Sequence, residues 1–227
     1  MIITCISDTH TKHKQLTDNM LPGGDLLIHS GDFSSVGYAH EIANFCAWFN
    51  SRNYTNKVFI AGNHDLLFEN HPEKAADIVN NYPGIKYLQD QATVINDERP
   101  IKIYGSPWQP EFCHWGFNLP RNGSELLKVW NDIPEDTDIL ITHGPPSGTL
   151  DMVDGRNEQL GCAVLQNRLL AVKPKIHIFG HIHSGYGYYF DGTTHYFNAS
   201  VLNERYAYEY KPQTFDWDPL TNTIKFL

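Results

Sequence analysis

Several polar residues of this 227-residue chain come just after short apolar runs that are rich in β-branched residues. Their side chains are carboxylates, imidazoles and one carboxamide, and glycine stands directly beside several of them. The residues are Asp8, His10, Asp32, Asn63, His64, Asp65, His143, His181 and His183. These nitrogen and oxygen donors suit Mn, Fe, Co, Ni or Zn rather than Ca, and they lack the thiolates of a structural zinc site. Such an ion can bring the pKa of a bound water molecule towards ~7, which gives hydroxide at neutral pH.

The apolar runs themselves predict β-strands, and amphipathic patterns between several of them predict helices. The strand candidates are residues 2–7, 25–30, 57–61, 101–104, 138–142 and 175–179, and the helix candidates are 42–49, 72–79 and 160–172. Strands that alternate with helices are typical of an α/β fold. Ligands of such folds bind outside the carboxyl ends of the strands, so we expect the polar residues to meet at one edge.

Aromatic residues stand out in two further segments. Residues 105–120 predict a long loop, and we expect Trp108 to stack on substrate and Asn118 to contact its phosphate, unless the loop's aromatics only pin the loop itself. Arg156 could clamp a phosphate, although a plain surface arginine is the alternative. Tyr206, Tyr208 and Tyr210 repeat at period two, which predicts a strand with an aromatic face in the sheet core.

Composition excludes several classes of protein. The net charge of −9 disfavours duplex nucleic acid as a main partner, because such binding depends on Lys and Arg against phosphates. No apolar run approaches the ~18 residues of a membrane helix, and the N-terminus lacks a signal-peptide pattern. The four widely spaced cysteines indicate reduced thiols rather than a disulfide framework. We therefore expect a cytoplasmic protein with no membrane partner, of undetermined oligomeric state.

The order of the motifs resembles that of the calcineurin-like metallophosphoesterases. Asp-x-His, Gly-Asp, Gly-Asn-His-Asp, His-Gly and Gly-His-x-His follow one another between Asp8 and His183. Residues 31–35, 104–110, 142–146, 180–187 and 198–200 are similar to the metallophosphoesterase-domain-containing subfamily. The resemblance implies an α/β fold that is a four-layer αββα sandwich of two mixed β-sheets flanked by helices. Because it covers nearly the whole chain, we expect residues 1–227 to form a single domain.

The resemblance also implies two metal sites that share one residue. One ion would be held by Asp8, His10, Asp32 and His183, and the other by Asp32, Asn63, His143 and His181. The expected cofactor is a pair of divalent ions, Mn before Fe, Co, Ni or Zn. His64 would stabilise the transition state and protonate the leaving oxygen. Asp65 could orient the His64 imidazole, with a cap or turn role as an equal alternative.

The function implied by the resemblance is a dimetal-dependent phosphoesterase. We expect a phosphodiesterase that hydrolyses small phosphate esters, such as cyclic nucleotides, through a metal-bridging hydroxide. A phosphomonoesterase with the same metals is the alternative. A non-catalytic adaptor on this fold is disfavoured, because no expected ligand is missing and His64 is present. The serine/threonine phosphatase branch is disfavoured too, because residues 33–37 and Asp65 depart from its motifs.

Overall fold

The computed structural model describes residues 1–96, 99–155 and 158–227. All six predicted strands and all three predicted helices are present, with shifts of up to three residues at their ends. The strands are β1 (Ile2–Ile6), β2 (Gly24–His29), β3 (Tyr54–Phe59), β4 (Lys86–Tyr87), β5 (Gln91–Asn96), β6 (Pro100–Ser106), β7 (Gln109–Pro110), β8 (Asn118–Leu119), β9 (Ile139–Thr142), β10 (Met152–Val153), β11 (Glu158–Gln159), β12 (Ile176–Phe179), β13 (Gly187–Phe190), β14 (His195–Asn198), β15 (Gln213–Asp218) and β16 (Thr223–Phe226). The α-helices are α1 (Ala39–Asn50), α2 (Leu67–Asn70), α3 (Pro72–Asn80), α4 (Ser124–Asn131) and α5 (Ala163–Val172).

Two six-stranded mixed sheets form the centre of the molecule. The first has the order β16-β15-β1-β2-β3-β4, with β1 to β4 parallel and β15 and β16 antiparallel to their neighbours. The second has the order β13-β14-β12-β9-β6-β5, with four parallel strands between antiparallel edges. The parallel strands of each sheet end at one edge, so the loops after them share that edge.

Apolar residues on both faces of each sheet hold the layers together. On β2, Leu27 packs in a cluster with residues of α1, whereas Leu26 and Ile28 pack in the cluster that fills the space between the sheets. On β9, Leu140 packs with α4 and α5, and Ile139 faces the other sheet. Neighbouring strand residues point to opposite faces, so both sheets are buried on both sides. The result is the expected four-layer αββα sandwich.

Local capping sets where α5 begins. The helix starts at Ala163, three residues after the predicted start, because the Cys162 thiol caps it and accepts from Leu165 N at 3.3 Å. It ends where Lys173 adopts a left-handed conformation, directly before Pro174. All four cysteines are free thiols, and Cys113 alone of them is exposed. Within the described ranges, no helix has the length and apolarity to cross a membrane.

The predicted tyrosine strand is wrong. Residues 206–210 form a loop, in which the β-type pairing is limited to an isolated bridge between Leu202 and Tyr208. Tyr206 has a φ of 57°, which is incompatible with a β-strand. The period-two pattern has another cause, because each ring has its own partner: Tyr210, for example, stacks on Tyr186 with 4.4 Å between ring centroids.

Candidate metal centre

The ends of five parallel strands from both sheets deliver the polar residues to one place. The residues that follow β1, β2, β3, β9 and β12 are, in that order, Asp8 and His10, Asp32, Asn63 and His64, His143, and His181 and His183. Ser7, just past β1 in the first sheet, forms a parallel bridge with Ser200, just past β14 in the second. This bridge draws the edges of the two sheets together.

Ligand atoms of these side chains converge into adjoining groups. Within each group the atoms lie no more than 4.8 Å apart; the groups are Asp8 with His10 and His183, Asp32 with His143 and His181, and His10 with Asp32 and His64. Asp32 Oδ2 lies 3.4 Å from His143 Nε2 and 3.7 Å from His10 Nε2. One carboxylate oxygen therefore faces imidazoles from two groups, as a bridging ligand must.

The remaining predicted ligand, Asn63, also reaches this place. Its Oδ1 lies 3.0 Å from His143 Nε2, and the side chain is buried. In the other group, Asp8 Oδ1 lies 3.3 Å from His183 Nε2. The structure thus brings all seven predicted ligands together.

Backbone carbonyls fix the orientation of the ligand imidazoles. His143 Nδ1 donates to Ser30 O at 2.9 Å, and His183 Nδ1 donates to Asn203 O at 2.9 Å. A carbonyl only accepts, so Nδ1 carries a hydrogen in each ring. Nε2 is then the nitrogen that can offer a lone pair to a metal ion.

Four of the candidate ligands have a left-handed backbone, which few non-glycine residues adopt. They are Asp8 (φ 54°), His10 (φ 39°), Asp32 (φ 57°) and His181 (φ 66°). Such strain costs about 1–3 kcal/mol per residue and persists only where the surroundings impose it. Gly31 is part of those surroundings, since its φ is 106° and a Cβ there would lie 2.6 Å from His143 Nδ1.

One buried nitrogen of the site supports metal binding directly. His10 Nε2 is buried and has no hydrogen-bond partner among the described residues. Buried polar atoms are usually paired, and a cation bound beside the two carboxylates would give this imidazole nitrogen a partner. The donor set of imidazole, carboxylate and amide groups fits a divalent transition metal.

Opposite charges balance one another when the site holds no metal. Burial raises the pKa of Asp8, but the hydrogen bond and charge of His183 outweigh it and hold the pKa well below 3.8. Burial lowers the pKa of His143, but the charge of Asp32 reverses this and raises the pKa to about 9. The hydrogen bond with Asp8 likewise raises the pKa of His183 to about 9, against its burial. A metal ion must displace these protons, so its binding strengthens as pH rises.

Asp65 builds the turn between two of these strand ends. Its carboxylate accepts hydrogen bonds from Asp32 N at 2.9 Å, from Gly62 N at 2.8 Å and from Ser34 Oγ at 2.6 Å. Burial and the negative charge of Asp32 raise the pKa of Asp65 to about 7. These contacts agree with the turn role that the sequence left open.

The His64 imidazole is oriented by other groups than Asp65. Its Nδ1 donates to Ser35 O at 2.7 Å, and Trp115 stacks on the ring with 3.8 Å between centroids. The expectation that Asp65 holds this ring is therefore corrected, because the Asp65 carboxylate is already occupied by backbone and serine donors. His64 Nε2 lies 4.0 Å from Asp32 Oδ2.

A cleft of about 390 Å³ opens over the candidate metal centre. Phe112 lines it and lies 5.2 Å from the ring of His181. Arg121 lines it too, and its Nη1 donates to Leu160 O at 3.1 Å. Tyr206 forms part of the wall beside His10. The cleft can therefore take an anionic group at the metal centre and an organic group against Phe112.

Trp108 and Asn118, which were expected to contact substrate, have other partners in the structure. Trp108 is not among the residues that line the cleft; its Nε1 donates to Asp90 Oδ2 at 2.7 Å. Asn118 is used inside the loop, where its Oδ1 accepts from Phe112 N and its Nδ2 donates to Phe112 O. Both residues pin the loop, the alternative that the sequence left open. Arg156 lies outside the described residues.

Sequence reasoning missed Tyr206 as a cleft residue. Its period-two spacing favoured a strand. No local signal marks the left-handed backbone conformation that places the Tyr206 ring against His10. The sequence assigns Trp115 to the loop of residues 105–120. It does not predict the contact with His64, because that contact joins residues 51 positions apart.

The fold is an αββα sandwich, and its site is a set of adjoining candidate ligand groups of a kind that two adjacent metal ions can use. The family model described as calcineurin-like phosphoesterase matches residues 1–185. The human metallophosphoesterase domain-containing protein 1 is 44% identical over 225 residues, which cover 89% of this chain and 66% of that protein. The UPF0046 protein C25E10.12 of Caenorhabditis elegans is 36% identical over 233 residues, covering 93% of this chain and 79% of that protein.

Solved structures agree on the fold. The crystal structure of TT1561 of Thermus thermophilus superposes with a TM-score of 0.68 at 15% identity, covering 99% of this chain and 97% of that chain. The chain belongs to the calcineurin-like phosphoesterase family, and within it groups with the metallophosphoesterase domain-containing proteins. It spans 66% of the length of its human relative.

Proposed function

We propose that this chain is a dimetal-dependent phosphoesterase, and specifically a phosphodiesterase that hydrolyses small esters such as cyclic nucleotides. The observation that carries the proposal is the position of Asp32 Oδ2, 3.4 Å from His143 Nε2 and 3.7 Å from His10 Nε2. A carboxylate oxygen that faces imidazoles of two candidate ligand groups is placed where two adjacent divalent ions could share it. Membership of the family supports the same chemistry.

The seven converging side chains are the proposed ligands. One ion would bind Asp8, His10, Asp32 and His183, and the other Asp32, Asn63, His143 and His181. When bound, two divalent ions polarise a phosphoryl oxygen and acidify a water molecule. Manganese is the proposed metal, before Fe, Co, Ni or Zn, because carboxylate and amide oxygens suit Mn and no thiolate is among the proposed ligands.

His64 is the proposed proton donor to the leaving oxygen. The hydrogen bond from its Nδ1 to Ser35 O and the stacked Trp115 ring leave Nε2 as the atom that can act in the cleft. An imidazole suits this role because it exchanges protons near neutral pH. Asp65 is a proposed positioning residue, since the turn it builds also holds Asp32.

The proposal of a diester rests on the cleft walls. An apolar wall that includes Pro110, Phe112 and Pro145 offers a surface to an organic substituent of the phosphate. The cleft volume of about 390 Å³ is near the lower end for small-molecule sites, which supports a small ester. Arg121 on the same wall favours the second candidate, a phosphomonoesterase, because a monoester carries an additional negative charge.

The test compares bis-p-nitrophenyl phosphate with p-nitrophenyl phosphate as substrates. Metal-stripped protein is assayed before and after reloading with Mn²⁺, together with His64→Ala and, as a matched control, the exposed His40→Ala. We expect metal-dependent hydrolysis that favours the diester. In His64→Ala, loss of the imidazole that is proposed to stabilise the transition state should lower kcat by about 100-fold or more without removing Mn²⁺, while His40→Ala stays unchanged.

Each other outcome has its own meaning. Preference for the monoester would replace the phosphodiesterase with the phosphomonoesterase. Binding of two Mn²⁺ ions without hydrolysis of either ester would indicate an enzyme of narrow specificity rather than the non-catalytic adaptor. Absence of Mn²⁺ binding would overturn the dimetal site itself.

Three further expectations, on domain organisation, cellular environment and class of partner, belong to the proposal. We propose that residues 1–227 form one domain; β14 and β15 support this, since they lie past the matched residues 1–185 yet pair with β12 and β1. Free thiols support a reducing, cytoplasmic environment. The net charge of −9 supports a small-molecule substrate rather than duplex nucleic acid.

A further inference from the structure

A short loop past the matched family region closes over one side of the candidate metal centre. This rim loop (residues 203–207) is held by Asn203, whose Oδ1 accepts from Arg205 N at 2.9 Å and from Ala207 N at 3.0 Å. The backbone of Asn203 adds two more bonds, accepting from Tyr206 N at 2.8 Å and donating to Ala207 O at 2.9 Å. The rim loop is therefore a built structure with a defined shape.

The rim loop contacts the strand end that carries a proposed ligand. Asn203 O accepts from His183 Nδ1 at 2.9 Å, and Glu204 Oε1 accepts from Ser184 N at 3.0 Å. On its other side, Tyr206 O accepts a hydrogen bond from Lys12 Nζ, two residues past His10. The rim loop thus connects the segments that follow β1 and β12.

Tyr206 places its ring against two proposed ligands of the same ion. Its centroid lies 4.8 Å from that of His10 at an interplanar angle of 78°, and 5.5 Å from that of His183 at 81°. Both contacts have the edge-to-face geometry that aromatic rings favour. The residue is held at a φ of 57° to make them, and such strain persists where the surrounding structure imposes it.

We propose that Tyr206 is a positioning residue, which holds the imidazoles of His10 and His183 in place for the ion bound by Asp8, His10 and His183. The assignment rests on the proposed dimetal site. The rings of the other group have different neighbours, since those of His143 and His181 lie 5.1 Å apart and Phe112 packs on His181. Loss of the Tyr206 ring should therefore weaken the binding of one ion and leave the binding of the other unchanged.

The test is a titration of metal-stripped protein with Co²⁺, followed by calorimetry and by visible absorption. Tyr206→Gly removes the ring while its backbone adopts a positive φ at no steric cost, so the rim loop keeps its shape. Tyr206→Phe keeps the ring and removes only the hydroxyl. Tyr210→Ala is the matched control, because Tyr210 lies in the same segment but stacks on Tyr186.

Wild-type protein should bind two Co²⁺ ions. In Tyr206→Gly one of the two should bind about tenfold more weakly, with an altered absorption band, as expected when a neighbour that orients a ligand is lost. Tyr206→Phe and Tyr210→Ala should match wild type. Thermal unfolding of the stripped variants checks that Tyr206→Gly stays folded.

Two results would overturn the proposal alone. One is wild-type affinity and spectrum for both ions in Tyr206→Gly, and the other is failure of Tyr206→Phe to restore binding, which would assign the effect to the hydroxyl. A wild-type protein that binds fewer than two ions would instead overturn the proposed dimetal function, and this assignment with it.

Discussion

Asp32 is the residue on which the candidate metal centre depends most. Its Oδ1 accepts from His64 N at 2.8 Å, and its Oδ2 faces the imidazoles of His10 and His143. Its own backbone N–H donates to Asp65, which keeps the strained turn in place. Each oxygen therefore has a separate task, and a substitution that changes one atom tests the arrangement.

We expect Asp32→Asn to remove most hydrolysis and to lower metal content from two ions to one or fewer. The carboxamide has nearly the same size, but it carries no charge and only one oxygen that can bind a metal. Loss of a group that only orients a metal ligand can lower activity by about 100-fold. Because Asp32 is itself a proposed ligand, activity should fall by more than this. Metal analysis and the diester assay measure both effects. Asp18→Asn, an exposed carboxylate paired with Arg52, should behave as wild type. Hydrolysis near the wild-type rate in Asp32→Asn would mean that the reacting site lies elsewhere.

Helix α5 illustrates how an element supports the second sheet from outside. Leu165, Leu169 and Val172 are buried in the cluster between α4, α5 and this sheet, whereas Leu170 is 64% exposed. The spacing puts three apolar side chains on one face of the helix. The helix covers the strands β9 and β12, which carry three of the proposed ligands at their ends.

Two adjacent leucines of α5 should respond very differently to truncation. Leu169→Ala removes a side chain that is 3% exposed, so we expect the free energy of unfolding to fall by about 2–5 kcal/mol. Leu170→Ala removes the same atoms from the exposed face of the helix, and the free energy of unfolding should change by no more than about 0.5 kcal/mol. Urea unfolding measures both. Equal losses in the two variants would show that α5 does not pack on the sheet in this way.

At the scale of the whole molecule, the layers enclose two uncharged histidines. His29 on β2 packs against Phe45 under the first helical layer, and its Nε2 donates to Thr9 Oγ1 at 3.0 Å. His177 on β12 packs against Phe179 in the opposite half, where its Nε2 donates to Thr142 Oγ1 at 2.8 Å. Both are core residues, as expected for strand residues of a sheet that is buried on both faces.

These histidines should make folding stability depend on pH. Burial lowers the pKa of His29 and of His177 from 6.5 to about 3. Between these values the unfolded chain binds protons that the folded chain does not, so stability falls as pH drops below 6.5. In metal-stripped protein, His177→Gln should flatten this dependence by about 1 kcal/mol per pH unit. The exposed His114→Gln serves as control.

Urea unfolding at pH values of about 5, 6 and 7.5 measures this dependence. The charged groups of the metal site are the same in all three proteins, so their contribution cancels in the comparison. An identical pH slope for His177→Gln and wild type would contradict a neutral, buried His177.

The elements of this fold and most of the candidate ligands were accessible from local sequence. Strands such as β9 and β12 are short apolar runs, and their burial on both faces needs no information from the rest of the chain. Asp32 and His143 follow such runs directly, so their place at the sheet edge depends only on strand direction. Contacts between distant segments were not accessible, because they depend on how loops pack after the sheets form.

Tyr206 and Trp108 illustrate that difference. Tyr206 belongs to an alternating pattern that local reasoning assigns to a strand, yet its left-handed backbone and its contact with His10 place it at the metal centre. Trp108 lies on the predicted loop, yet its indole donates to Asp90 and does not line the cleft. A side chain's partner across the molecule is decided by the packing of whole layers and by the backbone conformation of the loops. The sequence by itself determined the alternation of strands and helices, the strand ends and the ligand types, because strand periodicity and hydrophobic burial act locally, and the four layers followed from the family resemblance. The tertiary structure alone decided which aromatic rings and carbonyl groups orient those ligands, because these contacts form only when two sheets meet at one edge.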